Sequence, residues 1–140
     1  LKSGGFLRID CREVGELYEQ LAAAAAADHE ALDQPQLLED LTDQGRIFPA
    51  FLGHGIVLPH VYADGIDARI CFAANLREPL EIAGQEEAVD FVFFLISPRG
   101  DTEGHLATLA EIARDCRSDQ KRRELKQADS IDQVIAALNR

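Results

Sequence analysis

No methionine occurs anywhere in this chain, and no charged-then-apolar leader opens it, so it is expected to be a domain cut from a longer protein. No apolar run approaches the ~20 residues of a membrane span, which excludes a bilayer-crossing helix. Cysteine is sparse: Cys11, Cys71 and Cys116 are odd in number and far apart. They lack the paired short spacings of a zinc site and the density of a secreted disulfide scaffold, so a reducing cytoplasm is expected. Basic residues are scarce, 14 against 25 acidic ones, for a net charge of −11. That field repels nucleic-acid phosphates and anionic lipid, so no nucleic-acid partner is expected. Internal repeats are also lacking.

What is present fits one α/β domain, since 140 residues with 46% hydrophobic content can bury a single core. Residues 1–5 read as linker or remnant, and residues 6–140 as the domain. Residues 6–9 alternate as a strand does, and Asp10 with Glu13 reads as the cap of a helix. That helix carries Val14, Leu17, Leu21 and an alanine run, and ends near His29, expected to be a solvated helix end. Asp33 and Pro35 open a second helix with Leu37, Leu38 and Leu41, closed by Gln44-Gly45, and the two should form a hairpin. Between residues 47 and 62 the pattern is irregular, apolar and punctuated by Pro49, Gly53, Gly55 and Pro59. Residues 68–76 and 89–96 read as strands, the second apolar on both faces and therefore central to a covered sheet. Three helices follow, one from about Thr102, one capped by Ser118 and one capped by Ser130. The expected fold is a mixed, largely parallel sheet flanked by helices on both faces.

Gly55-Ile56-Val57-Leu58-Pro59-His60 delivers a histidine to the end of a buried segment. Pro59 fixes one backbone dihedral before it and Gly55 permits close approach, so the imidazole would be held in place. Histidine, with an ordinary pKa of ~6.5, can be a neutral nucleophile near physiological pH and then carry a phosphoryl group. His105 lies where a strand gives way to a helix, beside the free N–H groups that favour an anion. Together they read as a phosphohistidine site, with His54, Gly55 and Pro59 lining the pocket. No metal and no cofactor are called for, because no cysteine or carboxylate lies at ligand spacing beside these histidines.

Gly53-His54-Gly55-Ile56-Val57-Leu58-Pro59-His60 resembles the signature of the type 2 enzyme IIA family of the bacterial phosphoenolpyruvate phosphotransferase system, the fructose, mannitol and nitrogen-regulatory branch. Leu76-Arg77-Glu78-Pro79-Leu80, the strand from Val89 to Pro98, and Gly104-His105-Leu106 are similar to later segments of the same family, in the same order. The resemblance implies a mixed sheet flanked by helices, a phosphoryl group accepted on His60 from the carrier protein HPr, and His105 as the second active-site histidine. The pattern departs at Gln44 and Gly45, where the family usually has arginine and glutamate, and at Pro49 and Ala50, where it has a Ser-Thr pair. Val61 and Tyr62 replace a small-then-basic pair. A phosphoryl group in transfer needs cationic donors, and Arg46 and Arg99 are the candidates to supply them.

Two functions follow as expectations. In the first, the domain is a phosphocarrier, a phosphotransferase component serving sugar uptake or regulation. In the second, it is a non-catalytic regulatory domain fused to a membrane ion or anion transporter, which keeps the fold without the phosphate clamp. Phe48, Phe51 and Leu52 are candidates for an apolar docking patch or for the core. The apolar stripe between residues 14 and 27 would also allow a homodimer.

Overall fold

The computed structural model describes residues 2–47 and 51–139, with the side chains of Lys2, Ser3, Arg46 and Ile47 left aside. Phe48, Pro49 and Ala50 lie outside the described residues. The elements in chain order are β1 (Lys2–Ile9), α1 (Val14–Asp28), α2 (Gln34–Ile47), β2 (Phe51–Gly53), β3 (Ile56–Val57), β4 (His60–Ala63), β5 (Ile70–Leu80), β6 (Val89–Pro98), α3 (Thr102–Asp115), α4 (Asp119–Gln127) and α5 (Ile131–Leu138).

β6 is the axis of the sheet, whose order is β1-β5-β6-β3-β2, with β4 also paired to β6. β1 runs parallel to β5, and β3 and β4 run parallel to β6. The β5–β6 and β2–β3 pairs are antiparallel. The sheet is therefore mixed and its helices cover both faces. Val92, Phe94 and Ile96 of β6 point into a core shared with Leu17, Leu21, Leu37 and Leu41 of α1 and α2. Phe91, Phe93 and Leu95 point the other way, against Ile112, Leu125, Val134 and Ala137 of α3 to α5. The period-two alternation of a strand thus feeds two cores from one continuous apolar run, as expected of a strand covered on both faces.

The structure corrects the sequence reading in four places. Residues 2–5, read as linker, belong to β1: Lys2 pairs with Ile70 and Gly5 with Phe72. At Gly4 an added Cβ would come within 2.7 Å of the Phe72 ring, so glycine there admits the aromatic. α1 begins at Val14 with Glu13 as its N-cap and no side-chain cap bond, instead of being capped by Asp10. α2 runs through Gly45 to Ile47 instead of closing there. A Cβ at Gly45 would fall on the Tyr18 hydroxyl, so this glycine serves the packing of α1 on α2. His29 is not a solvated end: its side chain is only 26% exposed, 3.6 Å from the Asp28 carboxylate, and its ring meets Phe72 edge-on.

The irregular segment resolves into short strands along the edge of β6. Asp90 and Phe91 donate their N–H groups to Gly55, and Leu95 donates to Pro59. Residues 55–63 therefore form one broken strand, interrupted at Leu58 and Pro59, as a residue without an N–H requires. The caps expected at Ser118 and Ser130 are present, accepting from Lys121 and Gln133. The stripe on α1 faces inward, with Leu17, Leu21, Ala22 and Ala25 buried. Phe51 packs on one core and Leu52 on the other.

Candidate active site

His60 opens β4 beside Leu95, and Tyr62 stands beside Ser97. Partners in a parallel pair point to the same face, so His60, Tyr62 and Ser97 all face the α3–α5 side of the sheet. His105 comes onto that surface from the first turn of α3. Its ring centroid is 5.2 Å from that of His60 and 4.3 Å from that of Tyr62. Ser97 Oγ lies 2.6 Å from His105 Nδ1, with both residues buried.

The His60 ring is held by the backbone. Its Nδ1 lies 2.8 Å from the carbonyl oxygen of Leu58. A carbonyl only accepts, so Nδ1 carries the proton and Nε2 keeps its lone pair. Burial lowers the pKa of His60, and the bond to Leu58 opposes that shift without reversing it. The imidazole is therefore neutral at physiological pH, with its nucleophilic nitrogen defined.

Gln44 explains part of the broken strand. Because Pro59 turns its carbonyl toward β6, the N–H of His60 points away from the sheet, and Gln44 Oε1 accepts it at 3.1 Å. Arginine has no acceptor and could not make this bond. The glutamine at this position closes a sheet edge at the residue that carries the candidate nucleophile.

His105 is 2% exposed and its pKa falls from 6.5 to about 4, first because of burial and then because of repulsion from His60. Asp101 raises it and Arg69 lowers it further, so both charges lie close. Asp101 is the N-cap of α3, and its Oδ1 accepts the N–H of Gly104 at 3.2 Å. Its Oδ2 accepts from Arg69 Nη1 at 2.8 Å. One of the helix N–H groups expected to await an anion is thus already occupied by a carboxylate.

The other candidates are spread around this centre. Gly55 is buried with φ +79°, and an added Cβ would lie 2.8 Å from Asp90 Oδ1 and 2.9 Å from the Ala88 carbonyl. Only glycine suits that position. Pro59 is buried beside His60. His54 is exposed at the β2–β3 turn with φ +56°, and its carbonyl accepts from Lys126. Arg99 points to solvent, paired with Asp64 at 2.9 Å, the two side chains 59% and 82% exposed. The Arg46 side chain is among those not described. Among the described residues no three His, Cys, Asp or Glu side chains gather as metal ligands do.

Three neighbours, Ser97, Arg69 and Asp101, escaped the sequence reading, and Tyr62 entered it only as a departure from the family pattern. Ser97 is a lone hydroxyl at the end of an apolar strand, and Tyr62 sits one strand period after His60; both signals were legible. Arg69 and Asp101 are 32 residues apart and joined only by the fold.

A family profile described as phosphoenolpyruvate-dependent sugar phosphotransferase system, EIIA 2, matches residues 5–140. The chain is 29% identical over 121 residues to the nitrogen regulatory protein of Bradyrhizobium diazoefficiens, covering 84% of this chain and 79% of that one. Its fold is similar to the crystal structure of the nitrogen regulatory protein IIA-Ntr from Neisseria meningitidis, with a TM-score of 0.83 at 24% identity, over 95% of this chain and 91% of that one. It is also similar to a chain in the complex of enzyme IIA-mannitol with phosphorylated enzyme IIB-mannitol from Escherichia coli, with a TM-score of 0.76 at 12% identity, over 99% and 96% of the two chains.

Proposed function

Because the chain belongs to the phosphoenolpyruvate-dependent sugar phosphotransferase system EIIA 2 family, we propose that His60 Nε2 is its phosphoryl acceptor and that an HPr-type phosphohistidine carrier is the donor. The observation that carries this is the bond from His60 Nδ1–H to the Leu58 carbonyl, which leaves Nε2 as the free nucleophile. In the transfer, the Nε2 lone pair forms a bond to phosphorus while the donor's N–P bond breaks and its electron pair stays on the donor nitrogen. No proton has to move, and a neutral acceptor suits the step.

His105 sits where it would meet the transferred group. In the tautomer whose Nδ1 accepts from the Ser97 hydroxyl, 2.6 Å away, its Nε2–H would be the edge that donates to the phosphoryl oxygens. The likeness to nitrogen regulatory proteins favours a regulatory use of the phosphorylated state over sugar uptake. The domain then works in the cytoplasm, where the phosphoryl donor is made, and an EIIB-type partner is a further candidate recipient. Gln44 favours a second reading, in which a domain fused to a transporter keeps the fold and has given up transfer.

Incubation with phosphoenolpyruvate, enzyme I and an HPr-type donor of the general or nitrogen branch, read by intact mass under alkaline conditions, decides between them. The expected outcome is a gain of one phosphoryl group that His60→Ala abolishes while its melting temperature stays near wild type. No gain with either donor refutes the carrier reading and leaves the regulatory one.

A further inference from the structure

A phosphoryl group on His60 brings about two negative charges into a half-buried site, where cationic hydrogen-bond donors are worth most. Of the two cations nominated by sequence, Arg46 has no described side chain, and Arg99 is engaged with Asp64 in solvent. Lys126 is held by Asp90 and the His54 carbonyl. Arg69 is placed differently. Its guanidinium lies against Gly104, one residue before His105, so closely that a Cβ there would fall on Nη1. Its side chain is 28% exposed, and its buried Nε has no hydrogen-bond partner. A buried cationic donor without an acceptor is costly unless a ligand completes it.

We propose that Arg69 is the phosphoryl-binding cation of this domain, held in reserve by Asp101 and transferred to the phosphoryl oxygens when His60 is phosphorylated. The inference rests on the carrier reading above and goes beyond it by naming the clamp. Asp101 is suited to release its partner, because its other oxygen remains on the Gly104 N–H as the cap of α3. Gly104 is suited to the movement, because its missing side chain leaves room for the guanidinium beside the helix start. The resting pair is neutral overall, so the empty site carries no uncompensated charge. The filled site exchanges one anionic partner of Arg69 for another, and Asp101 keeps its helix bond.

The test uses Arg69→Gln, Arg69→Lys and Asp101→Asn in the full domain, phosphorylated both by the protein donors and chemically by phosphoramidate. Phosphorus NMR follows the phosphohistidine signal against pH, a readout that a merely structural arginine would not move. A clamp predicts that Arg69→Gln raises the titration midpoint of the phosphoryl group and slows transfer roughly tenfold or more. Arg69→Lys, which keeps the charge without the fork, should recover part of both. Asp101→Asn retains a helix-capping side chain and frees the arginine, so it should lengthen the phosphohistidine lifetime. An unchanged phosphorus titration and transfer rate in Arg69→Gln overturns the clamp; should that variant fail to fold, identity of Arg69→Lys with wild type in both readouts overturns it. If protein donors fail but phosphoramidate labels His60, the carrier reading falls, and the titration still decides the role of Arg69. If neither labels His60, both are overturned.

Discussion

The two histidines stand 5.2 Å apart, yet the chain holds them in opposite ways. The His60 ring is fastened by local backbone, bonded to the carbonyl two residues earlier, and only its N–H is met by a distant side chain, Gln44. His105 is fastened by side chains from other elements, with Ser97 on its Nδ1, Tyr62 against its face and the Arg69–Asp101 pair beside it. A group set by local backbone keeps its geometry when neighbours change. A group set by distant side chains can be retuned by single substitutions. The proposed nucleophile thus belongs to the first kind and its proposed partner to the second.

Acid should separate the two most strongly. The pKa of His105 is about 4 in the folded protein against 6.5 ordinarily. Above pH ~6.5 both states are neutral there and stability is flat; as pH falls toward 4 the unfolded chain takes a proton that the folded one refuses, and stability drops. The expected loss from this residue is about 2–3 kcal/mol. Urea unfolding at pH 7 and pH 4.5 measures it, and His105→Gln should flatten the slope. A slope that survives that variant would mean the shift belongs to other groups.

Ser97→Ala tests the side-chain support directly. It strands a buried His105 Nδ1 and should cost about 1–3 kcal/mol by chemical denaturation, while His60 still accepts phosphate. Equal loss of acceptance and stability would show that the two histidines are not separately held.

Gln44→Arg gives the smallest change in stability and the sharpest comparison. It adds a cation near the acceptor but removes the side chain that accepts the His60 N–H. A stability cost of about 1 kcal/mol or less is expected, because that N–H lies at a part-open edge. If transfer from the donor rises nonetheless, charge outweighs the edge bond; if it falls, the glutamine's hold on the backbone matters more.

The central strand was the most legible part of the fold. Eight consecutive largely apolar residues admit no exposed face, and β6 has helices on both sides as that pattern requires. The caps at Ser118 and Ser130 were legible for the same reason: a cap is a local bond between near neighbours. α2 overran its expected end because Gly45 serves the Tyr18 hydroxyl of another helix, which no local pattern reveals. β1 was read short because glycines at its start suit a linker and equally suit close approach to Phe72. In the site, the resemblance pointed to His60 and His105 by number, and the structure brings those two rings together. Arg69 stayed hidden because an ion pair 32 residues long leaves no periodic trace.

By itself, then, the chain's order of residues determined the family, the doubly covered central strand and the proline-broken segment that ends in His60. These depend on local conformational preference and on apolar periodicity, which are properties of neighbours. Tertiary structure alone decided that Gln44 would close the His60 edge, that Ser97 and Tyr62 would seat His105, and that Arg69 would lie against Gly104 with one donor unpaired. Those are contacts between elements far apart in the chain, and their energies exist only once the sheet has brought the elements together.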